Sequence, residues 1–286
     1  MLESGCSKAE SDRLDRRSLS LTFSEEFDGP LSRCANRCRG EKWRTKYFHS
    51  GDTPMSRGLG ISSSSEIAVD AEYLGLGIDP FEVATGVLKI KVRPATERTK
   101  VAVRDAWPAW FSGEHVAPRF TSGVLTTELS FSQQYGYFEA RIKVPFLTGG
   151  WPAFWLLDKI QGKYDEIDVL EVLTARPNVH NFGHQWGRIN VDPKNSERGE
   201  INSEDLSADF HTYGVLWTEA SIVYYRDDVE VGRFQNRGLH DPMYMILSIG
   251  MDGSWNEQLK LQSPPDAAGD MLIDFVHVYR LHEPNK

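Results

Sequence analysis

Long apolar runs are missing from this 286-residue chain. No stretch approaches the roughly 18 uninterrupted hydrophobic residues that a membrane-crossing helix needs. Cysteine is scarce: Cys6, Cys34 and Cys38 are an odd set. No second pair of ligands stands at zinc-finger spacing, which argues against a structural zinc. Cys34 and Cys38 are close enough in sequence to bridge in an oxidising compartment, although so small a closed loop constrains the unfolded chain little. Positive charge does not dominate, since 32 Lys and Arg against 41 Asp and Glu leave a net charge of −9. That balance argues against nucleic acid and against an anionic membrane surface as partners. The opening Met1-Leu-Glu-Ser lacks the basic start and apolar stretch of a signal peptide. Internal repeats and low-complexity linkers are absent too. The expectation is one domain over residues 18–286, preceded by a polar, poorly ordered tail at 1–17.

What the chain has in quantity is aromatic residues, eight Trp, ten Tyr and fourteen Phe, and short segments that alternate apolar with polar residues. Alternation at a period of two describes half-buried strands. It occurs at 18–27, 66–70, 86–93, 120–127, 135–145, 210–218, 222–231 and 271–279. Residues 243–249 (MYMILSI) are almost continuously apolar, as expected of a strand buried on both faces. The last strand is expected to return beside the first. Residues 30–60 read as a long loop, and 105–118 as an aromatic loop.

The segment Tyr164-Asp-Glu-Ile-Asp-Val-Leu-Glu-Val172 sets carboxylates into a strand pattern. Glu166 and Asp168, two apart, share a face, and Ile167 and Val169 share the other. Glu171 has the wrong parity unless one residue is inserted. A β-bulge around Val169-Leu170 would return it to the face of Glu166. The two glutamates would then stand about 13 Å apart along the backbone, at about 3.3 Å per residue. Their side chains can close to the roughly 5–5.5 Å of a retaining glycosidase pair. Like charges so close favour one carboxyl holding a proton while another stays ionised, as glycosidic-bond hydrolysis requires.

Upstream lies Gly149-Gly-Trp-Pro-Ala-Phe-Trp-Leu-Leu157. Together with Glu-Ile-Asp-x-x-Glu about ten residues on, it resembles the signature of glycoside hydrolase family 16, the laminarinases, lichenases, agarases and related endoglycanases. Phe23-Ser-Glu-Glu-Phe-Asp-Gly29, Phe120-Thr-Ser-Gly123 and Tyr135-Gly-Tyr-Phe-Glu-Ala-Arg-Ile-Lys143 match the family in order, so the resemblance runs from about Leu21 to Leu281. Val69 to Phe81 is similar to a subgroup that trims bacterial exopolysaccharides of the succinoglycan type. Ser62-Ser-Ser-Ser65 stands where many members carry a sugar-contacting Asn.

The resemblance implies an all-β jelly-roll sandwich of two curved antiparallel sheets with a concave substrate groove. It implies a secreted, extracellular or periplasmic monomer that acts on a polysaccharide and needs no cofactor for catalysis. Matching the family order makes Glu166 the nucleophile, Glu171 the general acid/base and Asp168 the residue that orients Glu166. Tyr164, Trp151, Trp155, His184, Trp186 and Trp255 are candidates for sugar contact. Trp151 and Trp155 share a strand face, so both line the groove or both lie in the core. His184 reads equally as a core histidine or as a partner of Asp168 or a sugar hydroxyl. Trp107 and Trp110 read as groove lining or as buried loop anchors. The resemblance also implies a structural Ca²⁺ near Glu26 and Asp274, with backbone carbonyls completing the shell. The substrates expected are a β-glucan with 1,3 or 1,3-1,4 linkages or a glucan-backbone exopolysaccharide. Two other classes fit part of the pattern. A transglycosylase would pass the sugar to another glycan, and a carbohydrate-binding module would keep the tryptophans without needing the acidic trio.

Overall fold

A computed structural model describes residues 13–36, 38–47, 51–58, 64–113, 115–160, 163, 165–188, 195–253 and 262–282. Two large sheets share one apolar core. The back sheet runs, in spatial order, β16 (Val229–Gln235), β15 (Ser221–Arg226), β14 (His211–Trp217), β9 (Gly136–Lys143), β18 (Gly269–Leu281), β6 (Val87–Pro94), β7 (Phe120–Ser122) and β4 (Glu66–Ala68). To it β1 (Leu19–Glu25) adds along β18, and β5 (Phe81–Ala84) along β6. The site sheet runs β13 (Asn195–Asn202), β12 (Val179–Trp186), β11 (Glu166–Glu171), β10 (Gly150–Asp158), β17 (Met243–Met251), β8 (Val124–Thr126), β3 (Trp43–Arg44) and β2 (Arg33–Cys34). The first strand does lie beside the last, with Leu19 opposite Leu281 and Glu25 opposite Val276.

The core fills the space between the sheets because alternate residues of each strand turn inward. From the site sheet come Phe154, Leu156, Ile167, Phe182, Met245 and Leu247; from the back sheet come Leu88, Ile90, Phe138, Ile142, Val215 and Val278. The run at 243–249 is buried on both faces as expected. Met243, Met245, Leu247 and Ile249 enter the main core, while Tyr244 and Ile246 join Ala68 and Val124 in a separate cluster on the opposite face, against Trp155 and Leu157.

Three features differ from the sequence expectation. Residues 13–17 are not loose: Leu14 N–H donates to the Asp228 carbonyl, and the Arg16 guanidinium forks onto the buried Glu139 carboxylate at 3.0 and 2.7 Å. A helix, α1 (Glu97–Asp105), opens on Thr96, whose side chain accepts from Thr99 N–H. Third, the described part of the 30–60 loop is tied down by a buried ion network. Arg57, fully buried, donates to Asp52, to Asp70 at 2.7 Å and to the Thr45 carbonyl at 3.0 Å, and its guanidinium lies 4.3 Å from the Tyr73 ring centre. Cys34 and Cys38 form a disulfide in this region. No helix among the described residues is long and apolar enough to cross a membrane.

Candidate active site

The bulge in β11 decides where the acids point. Opposite β10, Phe154 pairs with Leu170 and Trp155 with Asp168, so Val169 has no partner. Opposite β12, Asp168 pairs with Gly183 and Glu171 with Asn181, again two residues against one. Ile167, Val169, Leu170 and Val172 all lie in the main core. Two successive core residues at 169 and 170 reset the alternation, and Glu166, Asp168 and Glu171 share the face turned away from the core. A buried histidine underpins the kink: His180 Nε2–H donates to the Val169 carbonyl at 3.0 Å, satisfying the oxygen of the unpaired residue. Burial lowers the His180 pKa to about 4, so the ring is neutral at ordinary pH.

Each acid has a different environment. Asp168 and Glu171 are buried, whereas Glu166 is only half-buried and accepts a hydrogen bond from Gln185 Nε2. Glu171 Oε1 accepts from Trp151 Nε1 at 3.0 Å, and its Oε2 from Arg198 Nη1 at 3.3 Å. Arg198 Nη2 is 3.9 Å from Asp168 Oδ2. Burial, with a contribution from Glu166, pushes Glu171 up to about 7, against the pull of Arg198 and Trp151. Burial, then the charges of Glu171 and Glu166, raise Asp168 well above the usual carboxylate range. At neutral pH this cluster holds protons as well as charge, so it can give a proton to a leaving oxygen and offer a carboxylate to carbon.

Trp151 and Trp155 both stand on the acid-bearing face of β10, half-buried. Trp155 Nε1 donates to Ser248 Oγ at 3.2 Å, and its ring lies 6.3 Å from that of Tyr47. They extend the site face as a strip of aromatic surface, so their shared face is the site and not the core.

His184 and Trp186 are corrections to the sugar-contact reading. Register places His184 opposite Ile167, a core residue, so its side chain turns inward and cannot reach Asp168 on the other face. The ring is buried, stacked on Trp186 at 5.3 Å and edge-on to Phe234 at 5.4 Å, and Trp186 packs against the main core. Trp107 is a loop anchor rather than groove lining: only 6% exposed, it stacks on Phe111 at 4.4 Å in the cluster of Ile67, Val69 and Val103, and its Nε1 donates to the Val116 carbonyl. Trp110 is 71% exposed and touches Phe111 edge-on, so it is no buried anchor, and nothing ties it to the acids. Tyr164 and Trp255 lie outside the described residues.

On the back sheet, Asp274 accepts from Arg141 Nη1 at 2.6 Å, while Glu26 meets His277 Nε2 at 2.5 Å and accepts from Ser24 Oγ at 2.7 Å. Calcium takes an all-oxygen shell. The two carboxylates, each already engaged by a side-chain donor, do not fit that shell as they stand.

The sequence reading missed Arg198, Gln185 and His180. Gln185 was within reach of it, because pairing β12 with β11 puts residue 185 opposite Glu166. Arg198 was not, because β13 reads NSERGEIN and carries no apolar period to mark a strand.

The fold and this site define a class that comparison with known proteins makes explicit. The model of the glycosyl hydrolases family 16 matches residues 91–276. The chain belongs to that family. It is 34% identical over 280 residues to the endo-1,3-1,4-beta-glycanase ExsH of Rhizobium meliloti (strain 1021), covering 94% of this chain and 53% of that protein. To the endo-1,3-1,4-beta-glycanase EglC of the same organism it is 32% identical over 281 residues, with the same coverage. The chain thus spans about half the length of these relatives. The solved structure of SCLam, a non-specific endo-beta-1,3(4)-glucanase, superposes with a TM-score of 0.69 at 21% identity, covering 95% of this chain and 95% of that one. That likeness shows the shared jelly-roll fold.

Proposed function

We propose that the chain is a retaining, endo-acting β-glycanase that cuts within a β-linked polysaccharide. The observation that carries this reading is the bulge, which sets Glu166 and Glu171 on one face in unlike environments. Glu171, buried and protonated near neutral pH, gives its proton to the leaving oxygen. Glu166, more open and held by Gln185, attacks the anomeric carbon and forms a glycosyl-enzyme. Glu171, now ionised, takes a proton from water, which releases the sugar with its configuration retained. Asp168 stands between them and shares the proton load, so the trio titrates as a set.

The names of the two rhizobial relatives favour a substrate with 1,3 and 1,4 β-linkages, a β-glucan or an exopolysaccharide with such a backbone. Trp151 and Trp155 offer ring faces to successive sugars, which suits a polymer threaded across the site. An oxidising location, extracellular or periplasmic, accords with the Cys34–Cys38 bridge. We take the working form as a monomer that needs no cofactor for the chemistry. A structural Ca²⁺ on Glu26 and Asp274 would have to displace Arg141 and His277. Melting in EDTA and in added Ca²⁺ tests it: a midpoint that rises with Ca²⁺, and no longer does so in Asp274→Asn, supports the site, and an unchanged midpoint removes it.

The test of the glutamate roles uses an aryl β-glycoside whose leaving group needs no proton. Glu171→Ala forms the glycosyl-enzyme and stalls, and azide then releases a β-glycosyl azide. Glu166→Ala forms no intermediate, and any azide product is α. Proton NMR reads the anomer, and an α-azide from Glu171→Ala would show the two roles to be exchanged.

A further inference from the structure

Three neighbouring strands carry a transverse row across the site face: Asp168 on β11, Gly183 on β12 and Arg198 on β13, each opposite the next. A side chain at the middle position would collide, because a Cβ on Gly183 would lie 2.6 Å from the Glu197 carbonyl oxygen and 3.0 Å from Arg198 Cγ. The absent side chain lets the Arg198 stem lie over β12 and bring its guanidinium to two carboxylates at once, 3.3 Å from Glu171 Oε2 and 3.9 Å from Asp168 Oδ2. Trp151 holds the other Glu171 oxygen. Glu171 is thereby fixed at both oxygens, with one donor from each side of its strand.

The groups facing Glu171 can be named element by element. Its own strand offers Glu166 and Asp168, both acidic. From β10 comes the Trp151 indole, and from β12 the amide of Asn181, which donates to the Glu171 backbone carbonyl at 3.2 Å. The titratable side chains of β12, His180 and His184, lie on the core side. From the back sheet, the buried Tyr224 hydroxyl donates to the Gly183 carbonyl at 2.5 Å; burial, then the charges of Asp168 and Glu171, hold it well above the usual tyrosine range, so it stays neutral beside them. From β13, Arg198 supplies the positive charge; Glu200, on the same face and opposite Asn181, meets Arg176 at 3.5 Å, while Glu197 turns to the other face beside His184.

We propose that Arg198 is a positioning residue for the acid/base: it orients the Glu171 carboxyl and sets the pH window in which the acidic trio holds the proton needed for the first step. This rests on the reading of Glu171 as acid/base. Arg198 is long and unbranched and its side chain is 38% exposed on an edge strand, so its replacement leaves the core intact. A cation beside a carboxylate favours the charged form, and its removal moves the titration upward.

The experiment measures kcat and KM across pH for the full chain and for Arg198→Met and Arg198→Lys, on a mixed-linkage β-glucan and on an activated aryl β-glycoside. In Arg198→Met both limbs of the kcat/KM profile should move up by about one pH unit. On the polymer, kcat should fall by roughly ten- to a hundredfold with KM within about twofold, because the loss is in proton delivery rather than binding. The aryl glycoside, whose leaving group needs no proton, should lose much less in its first step. Arg198→Lys keeps the charge without the fork, and should return the limbs toward their original position while recovering kcat only in part. An unmoved profile in Arg198→Met with kcat within twofold overturns the proposal, as does a loss expressed wholly in KM, which would make Arg198 a sugar contact. The azide test on Glu171→Ala reads the acid/base assignment independently, so its failure is distinguishable from a failure of the Arg198 proposal.

Discussion

The two halves of the site sheet share one lattice and one core but finish their outer faces in opposite ways. The β11–β13 half presents Glu166, Asp168 and Glu171 with Arg198 and the amides of Gln185 and Asn181 around them; the β17–β8–β3 half is covered by Tyr244, Ile246, Val124 and the Tyr47–Trp155 contact. The polar half is made possible by irregularity, a bulge and a glycine that lets a long side chain cross a strand. The apolar half keeps regular register, with Trp155 opposite Ile246 and Ile246 opposite Thr126. It is finished by a loop that a buried ion network clamps. One half gives up local order to bring its acids to one face, and the other keeps a regular, apolar face. A second pair makes the same point. Glu66 is buried like Glu171, and burial likewise pushes it up to about 7. Its Oε2, however, accepts the Met251 N–H at 2.7 Å, and the acid that acts on it, Asp252, is itself tied to Arg119 and Ser263. Burial alone raises a carboxylate; the neighbours decide whether the raised pKa is used.

The contrast can be broken hardest on the polar side. Glu171→Ala should cost about 10²–10⁴-fold in kcat on polymer, and Glu166→Ala should leave no measurable turnover, while melting points of both stay near the parent's. Loss of activity accompanied by loss of fold would mean that these acids serve structure instead.

The apolar half should respond in stability. Arg57→Met leaves Asp70 and Asp52 without their cation in a buried network, a change that typically costs about 3–5 kcal/mol. Urea unfolding should show the shift in midpoint, with KM rising as the Tyr47 loop loosens. A midpoint within error of the parent would mean that the loop is held some other way.

A subtler effect concerns pH. Because Glu171 sits above its unfolded value of 4.5 in the native state, at about 7, the native chain binds the extra proton between those values. Its contribution to stability is therefore full below about pH 4.5 and declines as pH rises through 7. Glu171→Gln should remove that decline and melt higher than the parent at pH 8, by roughly a few degrees. Equal slopes of melting point against pH from 5 to 8 in the two proteins would contradict it.

The smallest effects separate the tryptophans. Trp155→Ala should raise KM for polymer roughly tenfold, an aromatic contact's worth of binding, whereas Trp110→Ala on the exposed loop should leave KM unchanged. Equal effects would extend the substrate path to that loop.

Much of this was legible from residue order. Ile167, Val169, Leu170 and Val172 are apolar at positions that only a bulge reconciles with one core face, so three acids on the other face follow from parity. His184 shows parity being overlooked: Phe182 is a core residue, and i+2 and i+4 along the same strand place His184 and Trp186 beside it, whatever position a resemblance assigns to them. Arg198 was hidden for a physical reason. An edge strand with both faces wet needs no apolar period, and its pairing is specified by β12 rather than by its own side chains. The helix α1 was hidden likewise, since only Thr99 and Val103 of its nine residues are buried.

The place of β18 has a consequence for how the chain reaches this state. It follows every other described strand in sequence yet runs through the middle of the back sheet, with β9 on one side and β6 and β1 on the other. Until its thirteen residues arrive, β1, β6 and β9 have open edges and the core lacks the Met271, Ile273, Val276 and Val278 row. Pairings as distant as Leu19 with Leu281 carry a large loop-closure entropy before they gain contact energy, so folding should be slow and governed by this last insertion. Interruption of β18 would therefore leave a collapsed, edge-exposed chain prone to pair with its neighbours rather than a smaller folded sandwich.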